Sequence, residues 1–243
     1  MEKTVENQNV LRGLLDVKIE MRDEKWEDDF LSHSAQGHFR LLRPDPITGP
    51  DGWPYLLVET DLGKKLILSL TEAGPGAGSQ NENPAEPAIN ILSWLSTRGI
   101  GLVINPTGEI PDFVISYGMI WNYRERGQFI SRQEHVQSMQ AHAESIDIGR
   151  LKFFEKNISK MLPDYARKVI RDFFADQGLF AVKVLLVKEE ETQPFNLAFS
   201  FESMGSPKQE ELSGVGEAIA WFLPSHYPIL IMSETAIPHF ELL

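Results

Sequence analysis

The sequence predicts an α+β fold of two similar small sheet-and-helix modules preceded by an N-terminal helix. Three observations carry that expectation. Short apolar runs bounded by Gly, Pro, Asn or Asp recur along the chain, as at Ile100–Ile104, Val182–Lys188 and Tyr227–Ser233, and such runs read as strands. Stretches with apolar residues at helical spacing separate them, Pro163–Gln177 being the clearest. Each half also shows the order strand, strand, helix, strand, which suits layered domains with one core apiece.

In chain order, Val5–Leu31 sets Val10, Leu14, Val17, Met21 and Phe30 near helical spacing and predicts one or two amphipathic helices. Arg43–Pro54 is crowded with Pro and Gly and predicts a turn-rich loop. Tyr55–Glu59 and Lys65–Leu70 predict strands, with Asp61 and Gly63 supplying a hairpin turn. The Gly, Pro and small polar residues of Thr71–Pro87 predict a long mobile loop. Ala88–Arg98 reads as a helix with Ile91, Leu92, Trp94 and Leu95, stopped by Gly99. Ile100–Ile104 and Phe113–Ser116 follow as strands, then Ser131–Ser145 as a helix capped by Ser131 with Glu134 three residues on.

The second half opens with a helix over Pro163–Gln177, its stripe made by Ala166, Val169, Ile170, Phe173 and Phe174, with Gly178 after it. Val182–Lys188 and Phe195–Phe201 are strands, Glu210–Phe222 a helix closed by Pro224, and Tyr227–Ser233 the last strand. The division that follows is an N-terminal domain at residues 1–146 and a C-terminal domain at 147–243. No residue-level repeat relates the two.

Composition narrows the function. Lys and Arg number 23 against 35 for Asp and Glu, a net charge of -12 that repels phosphate backbones and anionic lipids. Neither nucleic acid nor a membrane is an expected partner; a basic protein suits the field better. The chain has no cysteine, which removes disulfides, thiolate metal sites and cysteine nucleophiles. The N-terminus lacks a signal-peptide apolar core and no run nears the ~20 apolar residues that span a bilayer, so a cytoplasmic protein is expected.

No motif supplies a catalytic set. His135 and His142 stand seven apart, whereas helical zinc pairs use spacings of three or four. His33 and His38 lie in a Gly-containing segment and are no better a pair. Ser225-His226 lacks the flanking glycines of a nucleophile elbow. Gly74, Gly76 and Gly78 are not followed by Gly-Lys-Ser/Thr, so a phosphate loop is not expected. Glu189-Glu190-Glu191 reads as a solvated hairpin tip, and Trp94 and Trp221 as core residues. Catalytic residues, metal ligands and cofactors are therefore none.

The densest group of recognition-type side chains follows the Asn105-Pro106 turn. Asn105, Asp112, Tyr117, Trp121, Tyr123, Arg124 and Arg126 combine aromatic rings with forked cations, the types that dominate binding hot spots. Whether Tyr117 and Trp121 face a partner or fill the core stays open in the sequence.

With both halves laid out, the chain resembles the bacterial SseB-like family, named for an enhanced serine sensitivity phenotype. The likeness lies in the helix ending at Gly99 with the strand GLVINP, then in LPDYARKVIRDFFADQG, two strands and the passage AIAWFLPSHYPILI. It implies paired N- and C-terminal α+β modules, a bacterial cytoplasmic setting, no accepted catalytic residues and a protein-binding role touching sulfur or serine metabolism. YGMIWNYRERGQF and the Thr71–Pro87 loop fall outside the likeness. The leading expectation is a non-enzymatic interaction module. Two alternatives stand beside it: an enzyme or small-molecule binder with Asp112, Tyr117, Arg124 and His226 between the domains, and an immunity protein against a basic toxin.

Overall fold

The computed structural model of the chain describes residues 2–41, 55–59, 65–73, 86–104, 111–130, 148–153, 158–189, 195–237 and 239–243. Several expectations lie outside them: the Arg43–Pro54 loop, the Asp61–Gly63 turn, Gly74 to Gly78, Asn105 and Pro106. So do the Ser131–Ser145 helix with His135 and His142, Glu190 and Glu191, and the 146/147 boundary. Within the described residues the fold is α+β, in two compact units.

The first unit opens with α1 (Glu2–Leu15), a three-residue helical turn at Ile19–Met21, and α2 (Glu24–Ala35). Asp23 caps α2, its carboxylate accepting from the Trp26 N–H at 2.8 Å, with Glu24 and Glu27 placed where the helix dipole favours them. The helix buries Trp26, Phe30 and Leu31. Trp26 and Phe30 stack at 5.0 Å, and Phe113 tilts onto both. Leu11 rather than Val10 is the buried residue of α1. The expected stripe also fails at Met21, which is 70% exposed. Helix α1 ends at Leu15, so Met21, in the separate turn at Ile19–Met21, is not in phase with it.

The sheet of this unit contains β1 (His38–Leu41), β2 (Tyr55–Glu59), β3 (Lys65–Ala73), β4 (Glu86–Pro87), β5 (Gly101–Ile104) and β6 (Phe113–Ile115). Its order is β4-β1-β3-β5-β6, with β2 also on β3. β3 runs on to Ala73, so the expected loop starts later than Thr71. Gly37 joins α2 to β1, where a Cβ would stand 2.8 Å from Leu11 Cδ1, so a larger residue would need the Leu11 side chain to shift. Helix α3 (Ala88–Ser96) buries Ile91, Leu92 and Leu95, and Gly99 follows at φ 71°. It carries the chain from β3 to the parallel strand β5, with Leu68 opposite Gly101. β5 lies between β3 and β6 and is buried along its whole length, as its unbroken apolar run requires.

The second unit holds β7 (Lys152–Phe153), α5 (Asp164–Ala175), β8 (Lys183–Lys188), β9 (Asn196–Ser200), α6 (Leu212–Ala220), β10 (Ile229–Met232) and β11 (Glu241–Leu242). β8 and β9 are antiparallel, and β9 pairs in parallel with β10 after the α6 crossover. Two-residue strands β7 and β11 flank opposite ends of the other edge of β8. Strand alternation puts Leu185, Val187, Ala198, Leu230 and Met232 on one face, where they form a core with Ile237. Val184, Leu186, Leu197 and Phe199 occupy the opposite face and are equally buried. Phe174 of α5 meets Phe199 there, and Phe173 meets Phe222. A strand pair covered on both faces has no polar side to show, which is why both runs read as continuously apolar.

Candidate interaction surface

Helix α4 (Tyr117–Arg126) carries most of the residues singled out in the sequence. Ser116 caps it, its hydroxyl accepting from the Met119 N–H at 3.1 Å. Gly127 ends it at φ 74°, its N–H donating to the Tyr123 carbonyl at 2.8 Å, a left-handed closure that favours glycine. Between these ends the first six residues, Tyr117 to Asn122, are all buried.

Two of the expected contact residues are therefore core. Tyr117 is 0% and Trp121 1% exposed, their rings 5.9 Å apart. The Tyr117 hydroxyl donates to the Ser96 carbonyl of α3 at 2.7 Å, and Trp121 Nε1 donates to Glu125 Oε1 at 2.7 Å. Their polar atoms are satisfied locally, which is what burying such rings requires. Of the two uses the sequence left open for these rings, the structure shows core filling, and neither is placed to contact a partner. Asp112 is a structural residue as well. Its N–H donates to the Ile104 carbonyl at 3.0 Å, tying the start of β6 to the end of β5.

Arg22 meets Asp112 across the first unit. Its guanidinium donates to the carbonyls of Val17 at 2.9 Å, Leu15 at 3.0 Å and Asp112 at 2.5 Å, and to Asp112 Oδ1 at 3.2 Å. It also lies 4.4 Å from the Trp26 ring centroid, while Trp26 Nε1 donates to the Leu14 carbonyl at 2.8 Å. One cation thus gathers the end of α1, the start of α2 and the start of β6.

What remains at the surface is the C-terminal turn of α4 and the outer side of α3. Tyr123 is half-buried and stacks on Phe129 at 4.6 Å, and Arg124 and Arg126 are exposed. On α3, Trp94 is half-buried, packed against the core of the unit, and the Arg98 guanidinium covers its ring at 4.3 Å. Trp221 is half-buried too. The sequence carried a signal for Trp94 and Arg98, an aromatic residue and a cation one helical turn apart.

Comparison of the chain with family models, with curated proteins and with solved structures finds no match.

The second unit adds a polar cluster that the sequence reading did not anticipate. Parallel strands β9 and β10 end in Ser200-Phe201-Glu202-Ser203 and Ser233-Glu234-Thr235, side by side. Lys183 Nζ pairs with Glu234 Oε2 at 2.7 Å, and the Ser200 hydroxyl donates to Glu234 Oε1 at 2.6 Å. Glu202 accepts from the Ser233 hydroxyl and, at 2.8 Å, from the Glu234 N–H. Ser200 is itself fully buried and accepts from the Ser203 N–H at 3.0 Å. This is a clamp across three strand ends, with each carboxylate occupied by donors from a neighbouring segment.

Those donors hold both carboxyls below the ordinary glutamate range: Ser233 chiefly for Glu202, Lys183 and then Ser200 for Glu234. A lowered native value means stability that is full above the unfolded value, about 4.3, and lost as pH falls through the native value. The urea midpoint of the second unit is expected to drop on acidification below about pH 4.3. The drop should be smaller in Glu234→Gln, and an equal drop would count against the clamp. Among the described residues no group of His, Asp and Glu is placed to hold a metal ion, and no helix is long and apolar enough to cross a membrane.

Proposed function

We propose that the chain is a non-enzymatic interaction module whose first unit docks a protein partner through the outer side of α3 and the last turn of α4. The observations that carry this reading are Trp94 under Arg98 at the end of α3 and, at the end of α4, Tyr123 on Phe129 beside exposed Arg124 and Arg126. Trp, Tyr and Arg supply large stiff contact area and forked donors, so they dominate interface energetics. Here they sit on helices fixed by the Tyr117–Ser96 hydrogen bond, which lowers the ordering cost of association. The resemblance to SseB-like proteins implies the same class of role.

Site-specific photo-crosslinking tests it in the native cell. A benzophenone side chain at Asn90 or Arg124 is expected to trap a discrete adduct that is absent with the probe at Lys168 on α5. Adding Trp94→Ala and Arg126→Ala should lower adduct yield about tenfold while the fold is kept. Equal labelling at all three positions would sink the assignment.

A further inference from the structure

The turn between α1 and α2 displays two large apolar side chains, Ile19 at 48% and Met21 at 70% exposure. Nothing in the fold needs them outside. Their backbone is nevertheless closed by hydrogen bonds of its own. Met21 N donates to the Lys18 carbonyl at 2.9 Å and Arg22 N to that of Ile19 at 3.1 Å. The next side chain, Arg22, makes the four hydrogen bonds described above and is only 8% exposed. A rigid turn that presents methionine and isoleucine has already lost the conformational freedom that binding would otherwise remove. Methionine adapts to irregular apolar partners.

The charge around this turn is one-sided. Among the exposed side chains of residues 16–29, six carboxylates (Asp16, Glu20, Asp23, Glu24, Asp28 and Asp29) face two ammonium groups, Lys18 and Lys25. Asp23 and Glu24 also serve the N-terminus of α2. That role accounts for neither Asp16, Glu20, Asp28 and Asp29 nor the outward apolar pair. Arg22 adds little opposing field at the surface, because it is buried against Asp112.

We infer that the Ile19–Met21 turn and its acidic surround form a second docking surface, for a basic partner segment that buries apolar side chains against Ile19 and Met21. The surface is distinct from the α3 and α4 grouping, where exposed Arg98, Arg124 and Arg126 outnumber exposed Glu125, and it stands whether or not that grouping binds. Complementary charge speeds encounter and fixes register, while the apolar pair supplies the desolvated centre.

The test uses the full chain, labelled for amide NMR, and three synthetic amphipathic peptides: lysine/leucine, glutamate/leucine and lysine/serine. The lysine/leucine peptide is expected to shift amides of residues 16–29 selectively, with binding that weakens as salt is raised. Ile19→Ser with Met21→Ser should weaken it about tenfold, as should Glu20→Lys with Asp28→Lys, with thermal midpoints unchanged because all four side chains are exposed and neither carboxylate caps α2. Shifts spread over the whole surface, equal binding of the glutamate or serine peptide, or unchanged affinity in either double variant would overturn the inference. A failure at Trp94 in the crosslinking experiment leaves this outcome unaffected, so the two readings fail separately.

Discussion

Trp121→Ala is expected to cost about 3–5 kcal/mol of stability, the usual loss for truncating a large ring in a close-packed core. The ring is 1% exposed, lies against Tyr117 and has its Nε1 bonded to Glu125. Alanine removes the ring's contacts, that with Tyr117 among them, and leaves a cavity where the indole stood. Urea unfolding followed by circular dichroism should show the midpoint fall, with Trp121→Phe retaining more of the stability. Any loss of partner binding in the alanine variant would therefore report a damaged fold. A Trp121→Ala protein as stable as the wild type would contradict the burial on which this rests.

Arg22→Ala is the second large effect, expected at about 3 kcal/mol. Removing the guanidinium strips hydrogen bonds from three backbone carbonyls and from Asp112, and exposes the face of Trp26 that it covers. Arg22→Lys should recover only part, since one ammonium cannot reproduce a planar fork aimed at four acceptors. The Asp112 carboxylate is 30% exposed and can be rehydrated, so Asp112→Asn should cost less, about 1 kcal/mol. Denaturant unfolding of the three variants checks that ranking. An Asp112→Asn loss equal to that of Arg22→Ala would show that the ion pair, rather than the carbonyl bonds, holds the junction.

Much of the architecture was legible because its elements each carry a single period. The stripe of α5, the apolar runs of β5, β8, β9 and β10, and the glycines after α3 and α5 all mark the elements found there. Helix α4 was not read as a helix, because burial of Tyr117 to Asn122 on every side erases the polar face that period-finding needs. Its remaining signals were the cap and the stop, Ser116 and Gly127. The same all-round burial misled the reading of the contact residues: residue types that dominate interfaces also fill cores, and only placement separates the two uses. Met21 failed in the opposite sense. Its spacing from Leu14 and Val17 fitted a stripe, but α1 ends at Leu15 and the turn that follows leaves Met21 exposed. The Glu202–Glu234 clamp had no legible signal beyond serine and glutamate at two strand ends, since its partners lie 32 residues apart.

The passage of β9 through α6 to a parallel neighbour also sets the order in which the second unit assembles. β8 and β9 are consecutive antiparallel strands and can find each other as neighbours in the chain. β10 cannot join until the whole stretch from Phe201 to Pro228 has closed a loop and laid α6 across it, and non-local parallel pairing of this kind is slow. Until then β9 offers an unpaired apolar edge, Asn-Leu-Ala-Phe-Ser, to any other extended chain. The newly made protein is thus most open to aggregation during the interval before Ile229–Met232 arrives.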